Sequence, residues 1–506
     1  MTATKGIPAF ADQRSPLTGR VLAASGAAGI AINVMKATLQ ILTLPIMASL
    51  LTPADFGLYA LAQPIVGFGW MLADAGFGAS LAREPESNTD VWSTAWWFLL
   101  GLGIVLAASV CMAGVVIGYV TRQPRLAGLV ALMSVAIIGV TLGTVPGARL
   151  DRRGRLLVGS GAQLAAVVTG FAAAIGCALA GAGVFSLAVQ FVSMATVWAV
   201  ALNFAAFRLP TWRFKPNLLR AHLSTGGAQI TTRLLDLCDR LASNAVLQRT
   251  IGIESLGYYG FGTQIGRFIS ESISNPCWFL LYLQAVRGDT AKTRHLHERT
   301  CRVLGLLLLP ASMIGAAAAP GLVGAVVGSR WLAASEVIQL TLPFFALSTI
   351  SAQSGPLLLA CGRYSIVLCT QGIGAALRLT FAAVGGWIGL RGIAIGLDAS
   401  LLLQSAILLL GTRGNCGIAL RPVLVQLVGP AVAGVCGVAV FLALSSALAT
   451  NVWDLAVSCL GAGLAAGLCL LAVDRAHLAE DLAMLRRVVF KRTHPTAAAT
   501  PQPEPI

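Results

Sequence analysis

Ten charged residues fall well inside stretches that are otherwise apolar: Lys36, Asp74, Arg233, Asp236, Asp239, Arg240, Arg267, Glu271, Arg378 and Asp398. Side chains of this kind can hold anionic groups through charge-assisted hydrogen bonds, or carry a proton or a small cation on a carboxylate. Their spacing selects a face. Gln229, Arg233, Asp236, Arg240 and Ser243 are separated by 4, 3, 4 and 3 residues, which puts all five on one side of a helix. Gln264, Arg267, Glu271 and Ser274 repeat the pattern. A shift of 200 residues carries the first stripe onto Asn33, Lys36, Gln40 and Thr43, again a polar face. Asp236 with Arg240, and Arg267 with Glu271, could also pair at i to i+4 and merely satisfy one another; both readings stand at this point.

Other chemistry is poorly represented. The eleven cysteines are scattered singly, from Cys111 to Cys469, without a CxxC pair, and read as small core residues. His295 and His297 lie in a charged loop, and their spacing of two would point them to different faces of a helix, so no metal site is expected there. No Walker A loop, GxSxG elbow or HExxH occurs. The expectation is therefore a protein without cofactor or metal that is not an enzyme.

The elements that position these residues are membrane helices. Hydrophobic residues make up 57% of the 506 and charged residues only 11%, too few charges for a water-facing surface. Facing ten charges into hydrocarbon would cost roughly 25 to 35 kcal/mol, beyond a typical folding margin, so they must face protein or water. The apolar runs predict an all-α, polytopic membrane protein of about 14 transmembrane helices. Six fall in 21–206 and six in 222–412, with two more in 413–474. A cytoplasmic tail (1–20), a cytoplasmic linker (207–221) and a terminal region (475–506), amphipathic and then disordered, complete the expected organisation.

The net charge of +15 is spread over short loops rather than gathered on one face, which argues against nucleic acid as a partner. With the N-terminus inside, the cytoplasmic side holds 25 basic residues and the outer loops 5. That balance satisfies the positive-inside rule with both termini cytoplasmic.

Two internal repeats are visible. Phe56-Gly57-Leu58-Tyr59-Ala60-Leu61-Ala62 recurs as Leu256-Gly257-Tyr258-Tyr259-Gly260-Phe261-Gly262, and Phe171-Ala172-Ala173 with Gly176 recurs as Phe381-Ala382-Ala383 with Gly386. Two pseudo-symmetric six-helix bundles follow, related by an axis along the membrane normal and enclosing a central cavity.

The segment Leu51-Thr52-Pro53-Ala54-Asp55-Phe56-Gly57-Leu58-Tyr59-Ala60, followed by Leu72-Ala73-Asp74-Ala75-Gly76-Phe77-Gly78, strongly resembles the Wzx-type polysaccharide flippases. These belong to the multidrug, oligosaccharidyl-lipid and polysaccharide exporter superfamily. Asp239-Arg240, Ile253-Glu254-Ser255-Leu256-Gly257-Tyr258-Tyr259, Arg330-Trp331 and Leu358-Leu359-Ala360-Cys361-Gly362-Arg363 are similar to later segments of that family. The resemblance spans roughly residues 20 to 445. It implies translocation of an undecaprenyl-diphosphate-linked oligosaccharide from the cytoplasmic to the periplasmic leaflet of the bacterial inner membrane. It further implies alternating access without ATP, and glycosyltransferases and a polysaccharide polymerase as partners.

On that reading Lys36, Arg233, Arg240 and Arg267 would contact the diphosphate, with Asn33, Gln40 and Ser243 offering hydrogen bonds to sugars. Asp74, Asp236, Asp239 and Glu271 would be coupling sites for a proton or sodium ion. The alternatives are a cation-coupled multidrug exporter of the same superfamily, disfavoured by Lys36 in the first helix, and a membrane polysaccharide polymerase or ligase. The latter would need a larger outer loop than the roughly seven residues expected here.

Overall fold

In the computed structural model, the structure describes residues 19–74, 77–82, 84–206, 208–219, 227–286, 288, 290–416, 420–448 and 452–473. The expected N-terminal tail up to residue 18 and the amphipathic and disordered stretch at 475–506 lie outside the described residues. Most of those described are helical and none lies in a strand. Among the described residues, eleven helices are long and apolar enough to cross a membrane. With α1 and the two arms of α8, whose described parts include the shorter apolar stretches Thr38–Leu50 and Cys277–Val286, they make up the expected 14.

The first compact unit ends at Ala245. It contains α1 (Gly19–Leu50), α2 (Pro53–Asp74), the short α3 (Phe77–Leu81), α4 (Thr89–Val120), α5 (Pro124–Arg152), α6 (Leu156–Leu179) and α7 (Phe185–Ala206). The first arm of α8 (Gly227–Val286) belongs to it as well. α5 is its centre, packed against α2, α4 and α7, while α6 lies against α1 and α7. Close approach needs small residues: a Cβ placed on Gly69 of α2 would lie 2.6 Å from Cδ1 of Ile137 on α5, the small-residue contact that lets membrane helices touch.

The second unit runs from Val246. It holds the second arm of α8, then α9 (Thr290–Leu322), α10 (Leu332–Ala352), the short α11 (Gly355–Ala360), α12 (Tyr364–Gly385), α13 (Leu390–Cys416), α14 (Leu420–Leu448) and α15 (Val452–Val473). Its order of neighbours repeats that of the first unit: α9 on α10, α10 on α13, α12 on α13. Gly266 of α8 lies against Phe345 of α10, where an added Cβ would meet Cδ2 at 2.6 Å. The added pair α14 and α15 packs on α9.

The two repeats open their first helical hairpin differently. Between α1 and α2, Thr52 caps the new helix. Its N–H and its hydroxyl both donate to Oδ2 of Asp55, at 3.1 and 2.7 Å, and the Asp55 N–H donates back to Thr52 Oγ1 at 3.2 Å. This is a reciprocal capping box with Pro53 at the first helical position. At the corresponding place in the second repeat α8 is interrupted by one residue, Gly252, at φ 84° and ψ 169°, a conformation open essentially to glycine alone.

One expectation is corrected. Residues 290–302, with His295 and His297, form the first turns of α9 and not a loop. Their charges hide an amphipathic helix: Thr293, His297 and Cys301, at intervals of four, are buried while His295 is exposed. The opposite-face reading of the two histidines therefore holds within a helix.

The linker is a strap along the first turns of α4. The Thr211 N–H donates to Ser93 Oγ at 3.0 Å, Trp97 Nε1 donates to the Thr211 carbonyl at 3.0 Å, and Lys215 pairs with Asp90. Trp212 stacks on Trp97 with ring centroids 4.8 Å apart. Leu219 closes the strap into the cluster of Phe77, Leu81, Trp92 and Leu99.

Candidate functional site

An ammonium in an apolar helix must find hydrogen-bond acceptors or open water. Lys36, half-buried on α1, donates to Oε1 of Gln163 on α6 at 2.9 Å. The partner described for it is thus neutral, and its charge is not cancelled by that contact. Gln163 was not among the expected site residues. The signal that could have found it is an isolated amide in the apolar span 156–179. On the same helix Gln40 is half-buried, while Thr43 turns its hydroxyl back to the Leu39 carbonyl at 2.8 Å.

On the first arm of α8, Asp239 is buried at 7% exposure and accepts a hydrogen bond from Ser243 Oγ at 3.3 Å, one turn away. Arg240 beside it is half-buried. Asn244, the next residue, donates through Nδ2 to the Ala60 carbonyl of α2 at 2.7 Å and so ties this arm to the first unit. The backbone of Asn33, Asp74, Arg233, Asp236 and Glu271 is helical, but their side chains lie outside the described residues. The expected pairs Asp236–Arg240 and Arg267–Glu271 lie outside them for the same reason.

In the second unit Arg267 is half-buried on the second arm of α8. Nearer the other end of that arm, Ser274 accepts a hydrogen bond from Nε2 of Gln353 at 2.7 Å. Gln353 is fully buried, and its Oε1 has no partner among the described residues. Arg378 on α12 reaches Oε1 of Gln404 on α13 at 3.4 Å, and Asp398, one helical face away on α13, is buried with Oδ1 unpaired among the described residues. Each unit therefore holds polar side chains at membrane depth that helix packing does not require. The structure brings Lys36 to Gln163 and Asp239 to Ser243, and sets Arg267 and Ser274 on one arm. Among the described residues no three His, Cys, Asp or Glu side chains converge as a metal site would need.

The motif segments do structural work. Thr52 and Asp55 cap α2, and the Tyr258 ring meets Trp331 edge-on at 5.9 Å while Phe261 packs on the same indole at 4.8 Å. Two separate motif segments, 253–259 and 330–331, are thus joined through one buried tryptophan.

Residues 46–336 match the model of a family described as polysaccharide biosynthesis protein. The lipopolysaccharide biosynthesis protein WzxC of Escherichia coli (strain K12) is 24% identical over 74% of this chain and 77% of its own. The succinoglycan biosynthesis transport protein ExoT of Rhizobium meliloti (strain 1021) is 24% identical over 53% of each chain. Among solved structures, a lipid II flippase, MurJ, in an inward closed conformation superposes with a TM-score of 0.70 at 10% identity, covering 89% of this chain and 99% of that one. At such identity the likeness shows the fold.

Proposed function

Because this chain belongs to the polysaccharide biosynthesis protein family, we propose that it moves an undecaprenyl-diphosphate-linked oligosaccharide from the cytoplasmic to the periplasmic leaflet of a bacterial inner membrane, with both termini cytoplasmic. The observation that carries this reading is a positive charge within an apolar helix: Lys36 is half-buried in α1 and, among the described residues, its hydrogen-bond partner is the neutral Gln163. A cationic cargo would be repelled there, and a diphosphate attracted.

The two repeats, 21–206 and 222–412, act as the halves of an alternating-access carrier with 413–474 appended. Lys36, Arg233, Arg240 and Arg267 meet the diphosphate while Asn33, Gln40, Ser243 and Gln163 meet sugar hydroxyls. The polyprenyl tail stays in lipid. An inside-negative potential assists outward movement by about 2.3 kcal/mol per charge per 100 mV where the diphosphate crosses the field. Asp74, Asp236, Asp239 and Glu271 couple the cycle to a proton or sodium ion, and glycosyltransferases and a polymerase act before and after it.

The test is export. In a strain lacking the endogenous copy, Lys36→Ala and the double variant Arg233→Ala with Arg240→Ala should abolish surface polysaccharide at normal membrane levels of protein, and Lys36→Arg should retain part of it. Full export by the alanine variants, or drug sensitivity without a polysaccharide defect in the deletion strain, would refute the assignment.

A further inference from the structure

Where α5 ends, the first unit gathers more positive charge than its neighbours cancel. Glu86 accepts two hydrogen bonds from Arg153, from Nε at 2.6 Å and from Nη2 at 3.0 Å, and Arg208 of the strap approaches the same carboxylate at 3.5 Å. Arg149 lies within electrostatic reach of all three groups. One carboxylate thus faces three guanidiniums. Asp90 is taken by Lys215, and Arg152 is turned to the Ala82 carbonyl at 3.4 Å. The Arg153 guanidinium holds the Glu86 carboxyl below its ordinary range, so Glu86 stays ionised and Arg149, Arg153, Arg208 and Glu86 together carry +2 at neutral pH.

Arg149 is the unusual member. It is nine-tenths buried, lies over the Trp92 ring at 5.0 Å from the centroid, and donates no hydrogen bond to any described residue. Its guanidinium nitrogens are not among the fully buried unpartnered atoms, so they are open to water or to the oxygens of an anionic ligand, which would supply charge-assisted acceptors. Trp92 offers the Arg149 guanidinium only its ring face, its indole N–H being a donor engaged by the Pro85 carbonyl at 3.0 Å.

The strap beside this corner indicates the source of those oxygens. Leu209, Trp212 and Phe214 are 85%, 89% and 53% exposed, alternating with Arg208, Arg213 and Lys215. Apolar and aromatic side chains interleaved with cations suit the headgroup level of a bilayer, where the rings enter the acyl boundary and the cations meet phosphate.

We propose that Arg149, Arg153 and Arg208 form a binding site for the phosphate of an anionic phospholipid headgroup, with Leu209, Trp212 and Phe214 seated in the adjoining acyl boundary. The site is separate from the polar stripe and does not depend on the transport reading. Bound lipid would complete the acceptors of Arg149 and fasten the strap to the membrane face of the first unit.

Native mass spectrometry of the purified full chain, equilibrated with phosphatidylglycerol or phosphatidylcholine, tests this. Wild type should retain phosphatidylglycerol in preference. Arg149→Gln and Arg208→Gln should each weaken that retention about tenfold or more, as expected for loss of a charge-assisted contact to phosphate. Glu86→Gln should strengthen it, a gain that damage to the fold does not produce. Equal retention of the two lipids by wild type, or no gain in Glu86→Gln, would overturn the proposal. So would inorganic phosphate binding the delipidated protein as tightly as phosphatidylglycerol does, since the site would then take a free anion.

Discussion

The junction between α1 and α2 and the break within α8 occupy equivalent places in the two repeats, 200 residues apart, yet are built from different materials. The first changes direction through Leu51 and Thr52 and restarts the helix with a reciprocal cap between Thr52 and Asp55. The second does it in one residue, Gly252, with φ at 84°. Its neighbour Glu254 serves no comparable cap and accepts a hydrogen bond from Tyr258 at 2.9 Å. A duplicated fold thus conserves the bend while leaving the means open: a side-chain cap in one copy, a backbone conformation available to glycine in the other. The first device depends on two side chains, Thr52 and Asp55. The second depends on the absence of one.

This contrast can be broken experimentally. The largest effect is expected from Gly252→Ala, which forces a Cβ into a conformation costing about 1–3 kcal/mol. Thermal unfolding in detergent should show that loss, whereas Thr52→Gly, at the matching position, should cost only a few tenths of a kcal/mol. A smaller effect, about 1 kcal/mol, is expected from Thr52→Ala, which removes the cap. Asp55→Ala combined with it should add less than its separate cost, because the two residues form one interaction. Tyr258→Phe deletes only the bond to exposed Glu254 and, like Thr52→Gly, should change stability by no more than about 0.5 kcal/mol. If Gly252→Ala is as mild as Tyr258→Phe, the second break is not held by backbone conformation and the comparison fails.

Much of the fold is legible in the sequence because a membrane leaves few choices. Apolar runs longer than about 18 residues must be helices with their backbone groups satisfied internally, and spans such as Pro124–Arg152 and Phe185–Ala206 lie where hydropathy puts them. Residues 290–302 misled for a physical reason: five basic residues at 287–302 resemble a loop, and the buried row of Thr293, His297 and Cys301 is too sparse to outweigh them. The break at Gly252 is hidden in a chain with 55 glycines. At the candidate site the stripe is visible through its spacing, but the pairing of Lys36 with Gln163 joins residues 127 apart. The same holds for Ser274 with Gln353, 79 apart. Helical periodicity orders one face at a time and carries no information on which face it meets.

The added hairpin α14 and α15 makes the repeats unequal in one respect. By packing on α9 it leaves 56% of that helix's most apolar stretch buried, against 22% for the equivalent stretch of α4, where Ile104, Val105, Met112 and Val116 stand exposed. The hairpin covers that flank of α9 and turns Leu460, Leu464 and Leu468 outward in its place. The one-sided extension thus clothes a flank of the second repeat that its counterpart in the first leaves bare.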